Sequence, residues 1–143
     1  MRRLLFKIFL VLLASLGPGI ALAELVVVVN ARNGVAAMTR NEVINVFFGR
    51  NRQFFNGVEA MPVDLDDAHP KRAQFYKLLV GKDVSEINAY WSRQVFTGRM
   101  QAPPRLASTE EVVKWVAANP GGIGFVELSR ADARVRVVYE LKR

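Results

Sequence analysis

Six side chains between positions 64 and 72 carry most of the chemistry that this 143-residue chain could perform. In "VDLDDAHPKRAQF" (Val63 to Phe75), Asp64, Asp66 and Asp67 stand beside His69, the only histidine, and Lys71 and Arg72 follow at once. Three chemistries are open to such a set. Carboxylate oxygens with one imidazole suit a divalent cation. A carboxylate beside an imidazole suits proton transfer. A cationic pair at the start of a helix suits an oxyanion.

The metal arrangement lacks partners. The spacing is not that of an EF-hand loop, which needs further acids and a closing Glu, and a second histidine does not exist. Aspartates just before a helix act at less cost as caps at the positive end of its dipole. Covalent catalysis lacks a nucleophile: there is no cysteine and no GxSxG. Ser85, Ser92, Ser108 and Ser129 fall at helix ends, on a helix face or in a turn, with no evident base. The expectation is a protein that is not an enzyme and carries no metal and no cofactor. For an oxyanion, Arg72 is the main candidate, with Lys71, His69 and Asp66 around it. The competing arrangement pairs Arg72 with Asp64 or Asp66 and simply neutralises the loop.

The elements that must position these residues can be read in order. "LVVVV" (Leu25 to Val29) is an unbroken β-branched run, expected as a strand buried on both faces. Thr39 and Glu42 have capping-box spacing, Met38 and Val43 that of a hydrophobic staple, and Gly49 fits just past the helix end. "FFNG" (Phe54 to Gly57) is a turn signal, and Ala60 to Leu65 reads as one strand. Pro70 suits a first helical turn capped by His69 or an upstream Asp. That helix should bury Phe75, Leu78 and Leu79 and stop at Gly81. Asp83 and Glu86 open another, with Ile87, Trp91 and Val95 as its inward stripe. Trp91, Trp115, Phe47, Phe48 and Phe96 are expected in the core.

Gly98 to Arg105 reads as a proline-bearing loop. Ser108 and Glu111 form a second capping box, opening a helix that turns Val112, Val113 and Val116 inward. "NPGG" (Asn119 to Gly122) is a turn, "IGFVEL" a strand, and "RVRVVYEL" an alternating, half-exposed last strand. The order β-α-β-α-α-α-β-β argues for one compact α/β sandwich.

Residues 1–23 read as a cleaved export signal. Arg2, Arg3 and Lys7 precede an apolar run from Ile8 to Leu16, and "ALA" (Ala21 to Ala23) supplies the small-x-small site. One mature domain, 24–143, is expected in the periplasm. Removing three basic residues from a formal +7 leaves about 7 − 3 = +4, spread without the basic tract that nucleic acid would require.

Three stretches, "TRNEVINVFFGRNRQFFNGVEAMPV", "YWSRQVFTGR" and "NPGGIGFV", resemble the C-terminal lobe of phosphate-binding proteins of ABC transporters, closest to short stand-alone relatives. The likeness runs from about Leu25 to Leu128. It implies a single lobe of a type II periplasmic-binding-protein fold, a mixed sheet flanked by helices. It also implies phosphate or another oxyanion as ligand, and an ABC transporter permease or envelope protein as partner; the alternative is a ligand-free interaction or regulatory module of the cell envelope that keeps the fold. In full-length relatives the "PV" strand is followed by an Arg, an Asp and a Ser-Gly-Thr turn opening a helix that carries a Phe. Here Ala68-His69-Pro70 replaces that turn, with no hydroxyl and one fewer N–H. Short relatives show an acid, then Arg-x-x-Phe, which Arg72 and Phe75 match, so Arg72 is the carried-over anion contact. With one lobe missing, the expected phosphate affinity of a monomer is about millimolar. A homodimer could rebuild the cleft.

Overall fold

The computed structural model describes residues 24–142; the expected export signal lies outside them. Strand β1 (Leu25–Asn30) is buried along its whole length. It is one of the two inner strands of a four-stranded mixed sheet of order β2-β5-β1-β6. The six residues of β5 (Gly122–Glu127) and β6 (Val135–Glu140) pair with it antiparallel on either side. A register shift between Val27 and Val28 leaves Val138 as an extra residue on β6. This bulge resets the alternation expected for the last strand, so the buried residues are Val135, Val138 and Leu141.

Helix α1 (Arg40–Phe47) starts at the anticipated capping box, with Thr39 accepting from the Glu42 N–H and Glu42 reaching back to the Thr39 N–H. Helix α2 (Pro70–Val80) has His69 as N-cap, Pro70 in its first turn and Gly81 in the left-handed conformation at its end. Its buried stripe is Arg72, Phe75, Tyr76 and Leu79. Leu78, expected inside, is only half-buried. The spacing i, i+3, i+4, i+7 is that of a core-facing helix side, with an arginine at its first position.

The strand expected over Ala60 to Leu65 is two. β2 (Met61–Pro62) pairs parallel with β5, whereas β3 (Asp64–Leu65) pairs parallel with β4 (Arg105–Leu106), which starts at the last residue of what reads as a loop. The backbone changes partner between consecutive N–H groups: Val63 donates to the Ile123 carbonyl and Asp64 to that of Pro104.

Helix α3 (Val84–Phe96) and helix α4 (Thr109–Ala118) complete the chain. Asp83 occupies the N-cap position of α3 without a side-chain cap, and its carboxylate pairs instead with Lys77 at 3.5 Å. Ser108 caps α4 by accepting from the Glu111 N–H, while the Glu111 carboxylate bonds the N–H of Ala107, one residue upstream of the reciprocal partner. Ile87 and Trp91 of α3 are buried, but Val95 is half exposed and Phe96 is 92% exposed. The last turn of α3 runs past the core, so the inward stripe ends at Trp91.

The layers are set by which β5 residues have side chains. Phe125 stacks on Phe75 with ring centroids 3.9 Å apart, and Phe47 tilts against both. This face therefore receives α1 and α2. Of the alternate positions, two are glycines and the third is Val126: a Cβ on Gly122 would stand 2.8 Å from the Val116 Cα, and one on Gly124 would stand 2.5 Å from a Val112 methyl. α4 consequently lies close against the opposite face. Asn30, buried at the end of β1, donates its side-chain amide to the Val116, Ala117 and Asn119 carbonyls at 3.0–3.2 Å. It satisfies the C-terminal end of α4 from the central strand.

Candidate functional site

The expected chemistry lies where β3 hands over to α2, and there the charged residues face one another. Asp64, on β3, is almost wholly buried, and Arg72, on the core stripe of α2, is fully buried. Asp64 Oδ2 accepts from Arg72 Nε at 3.1 Å and from the Tyr76 hydroxyl at 2.7 Å, and its Oδ1 accepts from the Leu65 N–H at 2.8 Å. On the outer side, Asp67 Oδ1 accepts from Arg72 Nη1 at 3.0 Å and from Asn88 Nδ2 at 2.8 Å. Arg105, on β4, donates to Asn88 Oδ1 at 3.2 Å. The Tyr76 ring also faces the guanidinium, its centroid 5.3 Å from the central carbon.

The electrostatics follow from this packing. Burial first, then the charge and hydrogen bond of Asp64, pushes the Tyr76 phenol well above its ordinary value, so it stays a donor at neutral pH. The Asn88 amide holds the Asp67 carboxyl below the usual carboxylate range against the cost of desolvation, with the Arg72 and Arg105 charges assisting. Arg72 thus bridges two carboxylates, with Arg105 linked to Asp67 through Asn88, and the buried pair has extra hydrogen bonds from Tyr76 and the Leu65 N–H. One donor remains unmet: Arg72 Nη2 is buried and has no partner among the described residues.

The other candidates point elsewhere. His69 Nδ1 accepts from the Lys71 N–H at 3.2 Å and so caps its own helix. Lys71 Nζ lies 3.6 Å from Glu127. Glu127 is held below the usual range: burial opposes its ionisation, but the Thr109 hydroxyl, its own backbone, Lys71 and Arg130 outweigh it. Asp66 is exposed and takes part through its backbone, accepting from the His69 N–H and donating to the Leu106 carbonyl. Arg72 therefore pairs with Asp64 as anticipated, but its second carboxylate is Asp67 and not Asp66. No group of three or more His, Asp or Glu side chains among the described residues could hold a metal ion.

Sequence reasoning missed Tyr76, Asn88 and Arg105. Tyr76 could have been found, since it stands four residues after Arg72 on the same helical face. Asn88 and Arg105 carry no local signal; tertiary packing alone brings them to Asp67.

The described residues thus form a mixed α/β lobe with a charged cluster at a strand–helix junction. No family model matches the sequence, and no curated protein is similar to it in sequence. Solved structures are similar in fold. An ABC-type phosphate transport receptor of Vibrio cholerae superposes with a TM-score of 0.63 at 18% identity, over 81% of this chain and 46% of its own. PstS of Borrelia burgdorferi gives 0.63 at 13%, over 82% and 47%. A phosphate-bound Clostridium perfringens protein, assigned as a phosphate ABC transporter substrate-binding protein, gives 0.63 at 16%, over 81% and 44%. These neighbours are substrate-binding proteins and not enzymes, and the chain spans less than half their length. It has the fold of one lobe of such a binding protein.

Proposed function

We propose that this chain is an exported, single-lobe binding-protein domain that acts in the cell envelope through its surface, by contact with another protein, and takes up free phosphate weakly. One observation carries the reading: the donors at the start of α2, where an oxyanion would sit, are already used. Pro70 has no N–H, Lys71 gives its N–H to His69 Nδ1, and Arg72 gives its own to the His69 carbonyl. The Arg72 charge is shared by Asp64 and Asp67, which supports a site already occupied by the chain's own carboxylates. A phosphate would have to displace a tethered carboxylate that pays no entropy of association.

Calorimetry of residues 24–143 with inorganic phosphate tests this: the expected dissociation constant is about millimolar or weaker, and a micromolar one would overturn the reading. A second reading keeps phosphate as the ligand, and the unmet Nη2 of Arg72 favours it. Its test is Asp67→Asn, which removes a negative charge while leaving an acceptor for Arg72 and Asn88. If Asp67 blocks the site, phosphate affinity should rise about tenfold, the scale of one close like charge at the protein surface. Unchanged affinity would exclude a blocked phosphate site.

A further inference from the structure

A second feature of the lobe lies outside this cluster: a cavity of about 380 Å³, into which none of Asp64, Asp67, His69, Lys71 or Arg72 projects. Its walls come from the end of α1, the edge strand β2, helices α3 and α4, and the Met100–Pro104 segment. Trp91, Trp115, Met61, Met100, Pro103 and Pro104 make it predominantly apolar, and its size is that of pockets which hold a substantial apolar group. Trp91 is buried and its indole N–H has no acceptor among the described residues, a deficit that native interiors seldom leave.

Charge says what kind of occupant fits. Arg52 lines the cavity and donates to the Arg99 carbonyl at 3.3 Å. Arg50 and Arg99 are exposed and adjoin lining residues. None of the three forms an ion pair among the described residues, and Glu59 is the one carboxylate in the lining. A second copy of this chain would bring a further net positive surface to that rim. An added β-strand is disfavoured as well, because Pro62 gives the edge strand no N–H at one of its two positions. Helix α3, whose Trp91 lines the cavity, also carries half-exposed Val95 and ends in Phe96, 92% exposed. An apolar pocket with a basic rim and exposed apolar residues on one of its wall helices is the anatomy of a protein anchor site.

We infer that this cavity receives one bulky apolar side chain from an acidic segment of a protein partner, with Arg52 and its neighbours meeting the flanking carboxylates. The inference rests on the reading of the lobe as an interaction domain. Its readout is direct, since the chain has two tryptophans and both line the cavity.

Titrating residues 24–143 with the acetylated, amidated peptide Glu-Asp-Leu-Phe-Glu-Asp should change tryptophan emission saturably, and added salt should weaken the binding. Arg52→Glu should weaken it at least about tenfold by reversing a rim charge, with Arg136→Glu, on the far edge strand, as the neutral control. Both sites are exposed, and circular dichroism checks that the variants fold. Three outcomes overturn the inference: no emission change with the peptide, equal binding after Leu-Phe is replaced by Ser-Ser, or equal binding of phenylacetate alone. Peptide failure together with silent phosphate calorimetry removes this inference alone, whereas tight phosphate binding removes the reading beneath it.

Discussion

Arg72→Ala is expected to lower the free energy of unfolding by about 3–5 kcal/mol, as for removal of one partner from a buried ion pair. The loss has two sources. Asp64, almost wholly buried, keeps the Tyr76 hydroxyl and the Leu65 N–H but loses its only direct counter-charge. The α2 stripe also loses a long side chain that lies against the Tyr76 ring. Urea denaturation gives the measurement, and a loss below about 1 kcal/mol, the scale of an exposed pair, would mean that the pair is not buried in solution. Replacing the whole cluster separates charge from packing. Arg72→Met with Asp64→Leu and Tyr76→Phe removes both buried charges and the phenol at once, leaving the Leu65 N–H as the group that loses its acceptor, and much of the lost stability should return. A variant that regains stability this way would show that the cluster is not needed for folding, and so sharpen the search for a ligand at Arg72.

Gly121→Ala is the second large effect, expected at about 3 kcal/mol, the upper part of the overpacking range. A Cβ there would stand 1.9 Å from the Glu59 carbonyl oxygen, and backbone cannot swing aside as a side-chain tip can. β2 would have to part from β5, where the Met61 N–H donates to the Gly121 carbonyl at 2.8 Å. Gly57→Ala is the informative contrast. Gly57 has φ +85° but open space around its missing Cβ, so alanine there should cost only about 1–2 kcal/mol for the left-handed backbone. Thermal unfolding of the two variants tests whether close approach outweighs conformation in this fold; equal costs would refute it.

The glycines of "NPGGIGFV" show how much of the fold was legible. The motif identified the turn and the strand, and close packing explains three of its residues: Gly121 admits β2, while Gly122 and Gly124 admit α4. Long elements with caps were equally readable. β1, the Thr39 box, Pro70 with Gly81, and the Ser108 cap all stand where local chemistry puts them. Two-residue strands have no periodicity to detect, so β3 and β4 were folded into a longer strand and a loop. The α3 stripe failed at Val95 and Phe96 because periodicity reports a helical face and cannot say where the core beneath it ends. The site was half legible. Asp64 and Arg72 were visible as a possible pair, but a charged residue suggested the surface, although Arg72, Phe75, Tyr76 and Leu79 already shared core spacing. The cavity had no signal at all, since its walls come from five separate segments.

The placement of β1 governs the order in which the protein can be built. It is the first element after residue 24, yet both its sheet neighbours come from the last quarter of the chain. The amide of Asn30 likewise waits for carbonyls that lie 86–89 residues downstream. As the polypeptide leaves the ribosome, five consecutive apolar residues have no strand to pair with until β5 emerges. Pairing β1 therefore carries a high loop-closure cost and comes late in folding. Until then this apolar segment stays open to aggregation and to any chaperone that binds apolar strands.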